Sequence, residues 1–176
     1  MHARLHPLLL SILALSACAT APCPDTAQEH FSGGMTVHLE RPLPLPADST
    51  SLRIQSGRIV AANAVQETEP HCIFEVEDLH AEARVLAPAR ITVTGVQRGV
   101  STFPGIHLSP AGFGRHGAAN LYFYTEFRLR ADPPLRARTL FCQINQAHAG
   151  IPRHLGLDEI RLALGTLLRL ELPAGP

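Results

Sequence analysis

The sequence predicts a mainly β domain, an antiparallel sandwich or small barrel of about seven or eight strands with one C-terminal α-helix. Three observations predict this fold class. Apolar and polar residues alternate in several short runs, turn residues separate the runs, and one segment has the spacing of an amphipathic helix. About 140 residues follow the N-terminal segments, which is enough for one hydrophobic core and too few for two domains.

The first element in chain order is a secretory leader, residues 1–17. Arg4 precedes an apolar run from Leu8 to Leu15, and Leu15-Ser16-Ala17-Cys18 has the pattern of a lipobox. A cysteine at this place is acylated on sulfur, so we expect Cys18 to carry the lipid that holds the chain on a membrane. The alternative is an ordinary signal peptide cleaved near a cysteine. The apolar run is too short to span a bilayer, which takes about 20 residues.

Residues 18–34 form the predicted lipidated tether, with Pro22, Pro24 and the Gly33-Gly34 pair. A coil of this length spans about 20–25 Å. Ala19 follows the cysteine, and in this the chain resembles proteobacterial lipoproteins without an inner-membrane retention signal. The expected location is therefore the periplasmic face of the outer membrane.

The equal numbers of basic and acidic residues indicate which partners the protein is expected to bind. Fifteen basic residues, all arginine, meet fifteen acidic ones. This balance favours neither a nucleic-acid partner nor a polybasic contact with anionic lipid, so the acyl chains are the sole expected membrane attachment.

Residues 35–176 form the predicted single β-rich domain. Most of its predicted strands have apolar residues at every second position, and 58–61 is predicted as the hairpin partner of 52–54. The predicted strands are 35–40, 52–54, 58–61, 71–77, 90–97, 120–130, 140–144 and 167–172. The Pro-rich segment 41–46 is expected as a sheet edge or an extended connector, because proline nitrogens cannot pair. Gln55-Ser56-Gly57 is the expected turn of a hairpin, and Gly95 a β-bulge.

The one predicted helix covers Leu157–Leu164. Gly156 stands at its N-cap, Glu159 lies in the first turn near the positive end of the helix dipole, and Gly165 ends it. The apolar stripe that predicts its buried face contains Leu157, Ile160 and Leu164.

With Cys18 assigned to the lipid, three cysteines are left. Cys72 and Cys142 each lie at an inward position of a predicted strand, and the periplasm is oxidising, so we expect them to form a disulfide. The bond closes a loop of about seventy residues and is worth up to about 4 kcal/mol. Three states are possible for Cys23: a free thiol, a disulfide to another chain, or a disulfide to Cys72 or Cys142 in place of the bond between them.

A metal site is the main rival to the disulfide, because His71 adjoins Cys72. Adjacent strand residues point to opposite faces, which opposes a shared ion. Neither Cys-x-x-Cys nor His-x-x-x-His spacing occurs, and we predict no metal. The other histidines of the mature chain are scattered: His30, His38, His80, His107, His116, His148 and His154.

The chain carries no recognisable catalytic motif, so we predict neither catalytic residues nor a cofactor. The glycine-rich stretch Gly112–Gly117 has no Lys-Ser/Thr and opens no helix, and Glu75, Glu77 and Asp78 are expected on a solvated strand face and turn. The segment Gly99–Ala119 is long for a loop, which is typical of functional or mobile loops.

One row of predicted outward residues is suited to stacking on a sugar or a protein partner. It contains Tyr122, Tyr124, Arg128 and Arg130. An ordinary β surface is the alternative, because tyrosine and arginine are common there.

Two blocks resemble a family of uncharacterised gammaproteobacterial lipoproteins. The first is Pro70-His71-Cys72 with Glu75-Val76, preceded by 51–58. The second is Cys142 followed by His154-Leu155, Glu159-Ile160 and Ala163-Leu164-Gly165. The resemblance covers most of the mature chain. It implies a lipoprotein with paired cysteines and adds no catalytic residue.

Two functional hypotheses follow. The first is an outer-membrane lipoprotein that serves as a non-enzymatic binding or structural accessory of the cell envelope, with an envelope protein as partner. The second is a periplasmic metal- or small-ligand-binding module that uses His71, Cys142 or the Gly99–Ala119 loop.

Overall fold

The computed structural model describes residue 31, residues 34–102, residue 105, residues 121–146 and residues 153–173. Ten strands and one α-helix occur there: β1 Thr36–Leu39, β2 Leu43–Leu45, β3 Ser51–Gln55, β4 Arg58–Val60, β5 His71–Val76, β6 Arg84–Leu86, β7 Ala89–Ser101, β8 Tyr122–Ala131, β9 Ala137–Asn145, α1 Leu157–Leu164 and β10 Leu168–Glu171. No helix in these ranges has the length and apolar character that crossing a membrane requires.

Eight of the strands form one antiparallel sheet in the order β10-β1-β7-β8-β9-β5-β3-β4. The sheet curls into a half-barrel, and α1 is the single α-helix of the described chain. A short 3-10 helix covers Ala62–Ala64 between β4 and β5. The prediction of a mainly β fold with a C-terminal helix is confirmed.

A separate two-stranded sheet pairs β2 with β6. Pro44 lies opposite Val85 in it, which agrees with the expected edge position of the Pro-rich segment. The strand β6 was not predicted, because three residues are too few to show an alternation.

The hairpin β3–β4 turns at Ser56 and Gly57, as predicted. Both residues have positive φ, 50° and 72°. Two positive φ angles in a two-residue turn match the right-handed twist of the flanking strands. Gly95 also lies at the predicted bulge, where the register between β7 and β8 shifts.

The core lies on one face of the curled sheet, beneath α1. The helix buries the predicted stripe, with Ala163 beside it. At its start, the Glu159 carboxylate accepts the Gly156 N–H at 2.9 Å. At its end, Gly165 N–H donates to the Arg161 carbonyl at 2.8 Å. The largest fully buried side chains are Met35, Leu43, Leu45, Ile54, Phe74, Ile91, Phe127, Leu140, Leu155, Ile160, Leu164 and Leu168.

The disulfide between Cys72 and Cys142 is present and joins the neighbouring inner strands β5 and β9. The two residues lie directly opposite each other, with Cα atoms 4.0 Å apart, and both are fully buried. The predicted pairing is therefore confirmed. Because the bond fixes which residues face each other, it also fixes the register of the two strands.

The end of α1 contacts the β3–β4 hairpin through two glycines. Gly57 N–H donates to the Ala163 carbonyl at 2.9 Å. A Cβ on Gly165 would lie only 2.4 Å from Gly57 Cα, and Gly165 has φ +58°. The helix thus docks on the hairpin only because neither residue has a side chain.

We expect replacement of both bridged cysteines by alanine to lower the free energy of unfolding by about 2–4 kcal/mol, because the unfolded chain regains the entropy of a 70-residue loop. Urea denaturation of the two proteins measures the difference. Cys23→Ala is the control, and an equal loss in that variant contradicts the assignment.

We expect Gly165→Ala to cost about 2–4 kcal/mol, since it adds a backbone clash to an unfavourable φ. Gly34→Ala is the matched control. Gly34 also has positive φ, +89°, but nothing lies within 4 Å of its Cβ position, so it should lose about 1 kcal/mol. Equal losses would show that the contact with Gly57 is unimportant.

Candidate functional site

The outer face of the sheet, opposite the core, carries a shallow cleft of about 190 Å³. It lies over the strands β3, β5 and β9, and the segment that joins β4 to β5 forms one of its walls. Its lining residues are Ser51, Arg53, Ala62, Val65, Glu67, His71, Ile73, Glu75, Gly105 and Gln143. Within the described chain this cleft is our candidate binding site.

His71 is at the floor of the cleft and is 2% exposed. Its Nδ1 lies 3.0 Å from the Glu69 carbonyl, which can only accept, so Nδ1 carries the proton. Its Nε2 accepts from the Gln143 amide at 2.9 Å. Burial lowers the pKa of His71 below its ordinary value of 6.5. The imidazole is therefore neutral at pH 7, in a single tautomer.

Gln143 connects this histidine to a third segment. Its amide oxygen accepts the Gly105 N–H at 3.0 Å while its nitrogen donates to His71. Gly105 also lies against Ile73, because a Cβ there would be 3.2 Å from Ile73 Cδ1. The two hydrogen bonds fix the orientation of the Gln143 amide.

Reciprocal hydrogen bonds hold the connection between β4 and β5 over the outer face. The Gln55 amide donates to the Gln66 carbonyl at 2.8 Å and accepts the Gln66 N–H at 2.9 Å. Asn145 N–H donates to the Glu67 carbonyl at 2.8 Å. The Tyr122 hydroxyl donates to the Glu67 carboxylate. Burial and this carboxylate raise the pKa of Tyr122 to about 12, so the phenol keeps its proton.

The expectation of an exposed tyrosine row is wrong. Tyr122 and Tyr124 do point to the outer face, but they are 2% and 4% exposed. Tyr124 stacks on Phe141 with ring centroids 4.7 Å apart, and Ile73 completes a small apolar cluster with them. This side of the sheet has its own minor core, which an alternation pattern does not distinguish from a solvated face.

The residues proposed for metal binding do not come together. Cys142 is oxidised and faces the core, whereas His71 faces the cleft on the opposite side of the sheet. Among the described residues, no group of three or more His, Cys, Asp or Glu side chains is placed to hold a metal ion. Several predicted features lie outside the described residues: Cys18, Cys23, His30, His107, His116, Gly112–Gly117, His148 and most of Gly99–Ala119.

The sequence analysis did not single out Gln143 and Arg98, which make contacts on the outer face and on the core face respectively. Gln143 is the partner of His71, and the proposed pairing of Cys72 with Cys142 already implied that these two lie opposite each other. Arg98 points to the core face, where its guanidinium lies 4.6 Å from the Phe31 ring centroid. The sequence did contain an indication for Arg98. It lies two residues after Val96 on the same strand, so its side chain points to the core face like that of Val96.

A second, half-buried histidine lies near Arg98. His154 Nδ1 is 3.1 Å from the Tyr124 carbonyl, and its ring packs edge-on against Phe123. Burial, and secondarily the charge of Arg98, lower the pKa of His154. Both histidines therefore favour the neutral state in the folded protein.

No protein-family model, no curated protein and no solved structure matches the chain.

We expect stability to fall as the pH drops below about 6.5. In this range the unfolded chain protonates His71 while the folded chain does not, so the free energy of unfolding decreases by at most about 1.4 kcal/mol per pH unit for one such histidine. Below the folded pKa the slope from this residue vanishes. Denaturation midpoints between pH 5 and 7.5 measure the slope.

His71→Gln should reduce that slope, because the glutamine does not titrate. His80→Gln, which changes an exposed histidine, is the control and should leave the slope as it is. If the slope is unchanged in His71→Gln, the pH dependence of stability does not come from His71, and His154 is the next residue to replace.

Proposed function

We propose that this chain is a lipoprotein of the cell envelope, held on the periplasmic face of the outer membrane by acyl chains on Cys18. Its β domain is a non-enzymatic binding or structural accessory. The observation that carries the proposal is the fully buried disulfide between Cys72 and Cys142. Such a bond forms and persists in oxidising compartments such as the bacterial periplasm, which is where the lipobox directs the chain.

The polar network of the cleft supports a non-enzymatic role. Both ring nitrogens of His71 are bonded within the protein, and its pKa is lowered. The Glu67 carboxylate accepts from Tyr122 and the Glu75 carboxylate from the Thr139 hydroxyl, at 2.8 Å in the second case. A general acid or base needs a proton or a lone pair available to its substrate. Groups already bonded to each other serve better to hold a surface in one shape.

The proposed tether agrees with an accessory function. Phe31 packs edge-on against Phe127 of the core, with ring centroids 5.4 Å apart, so the free part of the proposed tether is residues 18–30. A coil of that length spans about 20 Å, which keeps the domain near the bilayer and within reach of neighbouring envelope proteins. The chain enters the sheet at β1, where Gly34 N–H donates to the Val93 carbonyl at 3.0 Å.

We expect the full chain, expressed in a Gram-negative host with a labelled palmitate analogue, to incorporate the label and to fractionate with the outer membrane. Cys18→Ala should abolish both results. Cys23→Ala changes a cysteine five residues away and should preserve them. Equal labelling of the wild type and Cys18→Ala would disprove the anchor.

In-cell crosslinking followed by purification tests the accessory role. The anchored protein should capture a defined envelope component that the Cys18→Ala variant, produced at the same level, does not. Repeated crosslinking without any enriched component contradicts a bracing function and leaves the membrane anchor to be judged by the labelling alone.

A further inference from the structure

Three arginines share the outer face of the sheet near the point where the chain enters it. Arg90 lies on β7, and Arg128 and Arg130 lie on β8. Arg130 lies opposite Thr92, and Thr92 is two residues from Arg90 on β7. Arg90 and Arg130 are therefore diagonal neighbours, about 7–8 Å apart. Arg128 and Arg130 are two residues apart on one strand, or about 7 Å. All three are exposed, and we call them the arginine patch.

The patch has no ionic partner among the described residues. Two nearby carboxylates are engaged with other cations: Glu171 with His38 and Arg169, and Glu40 with Arg169. Glu126, two residues before Arg128 on the same face of β8, is buried and has interactions of its own. None of the described ion pairs includes an arginine of the patch. Three adjacent positive charges are thus available to an external anion.

The β-bulge contributes to the shape of this surface. Gly95 lies opposite Arg128, and the guanidinium atoms are 3.4–3.6 Å from the place where a Gly95 Cβ would be. The side chain of Arg128 therefore lies along the sheet over the glycine. This position brings the charge of Arg128 onto the outer face together with the charges of Arg90 and Arg130.

The entry point of the chain lies beside the patch. Thr36, the first residue of β1, is opposite Thr92, and Thr92 is opposite Arg130 on its other side. Two strand spacings, about 10 Å, separate Thr36 from Arg130. Gly34, at the end of the proposed tether, donates its N–H to the Val93 carbonyl of β7, so the patch lies within about 10 Å of the point where the chain enters the sheet.

We propose that the arginine patch docks on the anionic phospholipid headgroups of the membrane to which the chain is anchored. Guanidinium groups bind phosphate oxygens through paired hydrogen bonds, and a patch beside the tether reaches the headgroups without extending the chain. The near-zero net charge does not oppose this, because it describes the sum of the charges and not their distribution. The inference rests on the proposed lipid anchor.

The test uses the full-length protein, purified from membranes and incorporated into vesicles. One set is phosphatidylcholine alone, and the other contains phosphatidylglycerol as well. Phenylglyoxal modifies accessible arginines, and mass spectrometry gives the rate at each position. Arg58 is exposed on the same outer face, on the edge strand β4 that lies four strands away from β8, so it is the internal control.

We expect the rates at Arg90, Arg128 and Arg130 to be roughly fivefold lower in anionic vesicles than in neutral ones, with no change at Arg58. Salt at about 1 M, where the Debye length is about 3 Å, should remove the protection. The double variant Arg90→Gln/Arg130→Gln should lose the protection at Arg128, whereas Arg58→Gln should keep it.

The other outcomes are decisive in the opposite direction. Equal rates in both kinds of vesicle would overturn the docking proposal while leaving the anchor intact. Equal protection by free inorganic phosphate with neutral vesicles would show a site for small anions instead of a membrane contact. A protein that does not float with neutral vesicles has no lipid anchor, and the docking proposal fails together with the proposed function.

Discussion

The disulfide between Cys72 and Cys142 fixes the register on which both faces of this sheet depend. Neighbouring residues of a strand point to opposite faces, so a slip of one residue between β5 and β9 would exchange the apolar and polar sets. The bond prevents this slip between two inner strands of the eight-stranded sheet. It places Phe74 opposite Leu140 in the core and, by the same register, His71 opposite Gln143 in the outer cleft.

The curled sheet buries residues on both faces, but the two burials differ in kind. The core beneath α1 is almost entirely apolar, and it is closed by the contact between Gly57 and Gly165. The outer face combines the stacked rings of Tyr124 and Phe141 with a hydrogen-bonded network around His71. Each polar group in that network has a partner, so burial lowers the pKa of the histidine without leaving its nitrogens unsatisfied. The result is a polar outer surface whose side chains are held in one arrangement.

The net charge of this protein does not describe how its charges are distributed over the folded surface. Fifteen basic and fifteen acidic residues cancel in the sum. On the folded chain, Arg136 meets Glu77, Arg153 meets Glu159, and Arg169 meets Glu40. The arginine patch is left over at one end of the outer face. A neutral composition is thus compatible with a local surface that attracts anions, and the tether proposed from the sequence would bring this surface close to the membrane.

The sequence by itself determined the features that depend on local pattern. Alternation predicted the strands, a stripe of three apolar residues predicted α1, two turn residues predicted the β3–β4 hairpin, and inward positions predicted the disulfide between Cys72 and Cys142. Tertiary structure alone decided what covers the outer face. Tyr122 was predicted to point outward, and it does, but Glu67, which bonds to it, is fifty-five residues away in the chain. Periodicity reports the direction of a side chain and not the segment that later folds over it, because that contact depends on packing between distant parts of the chain.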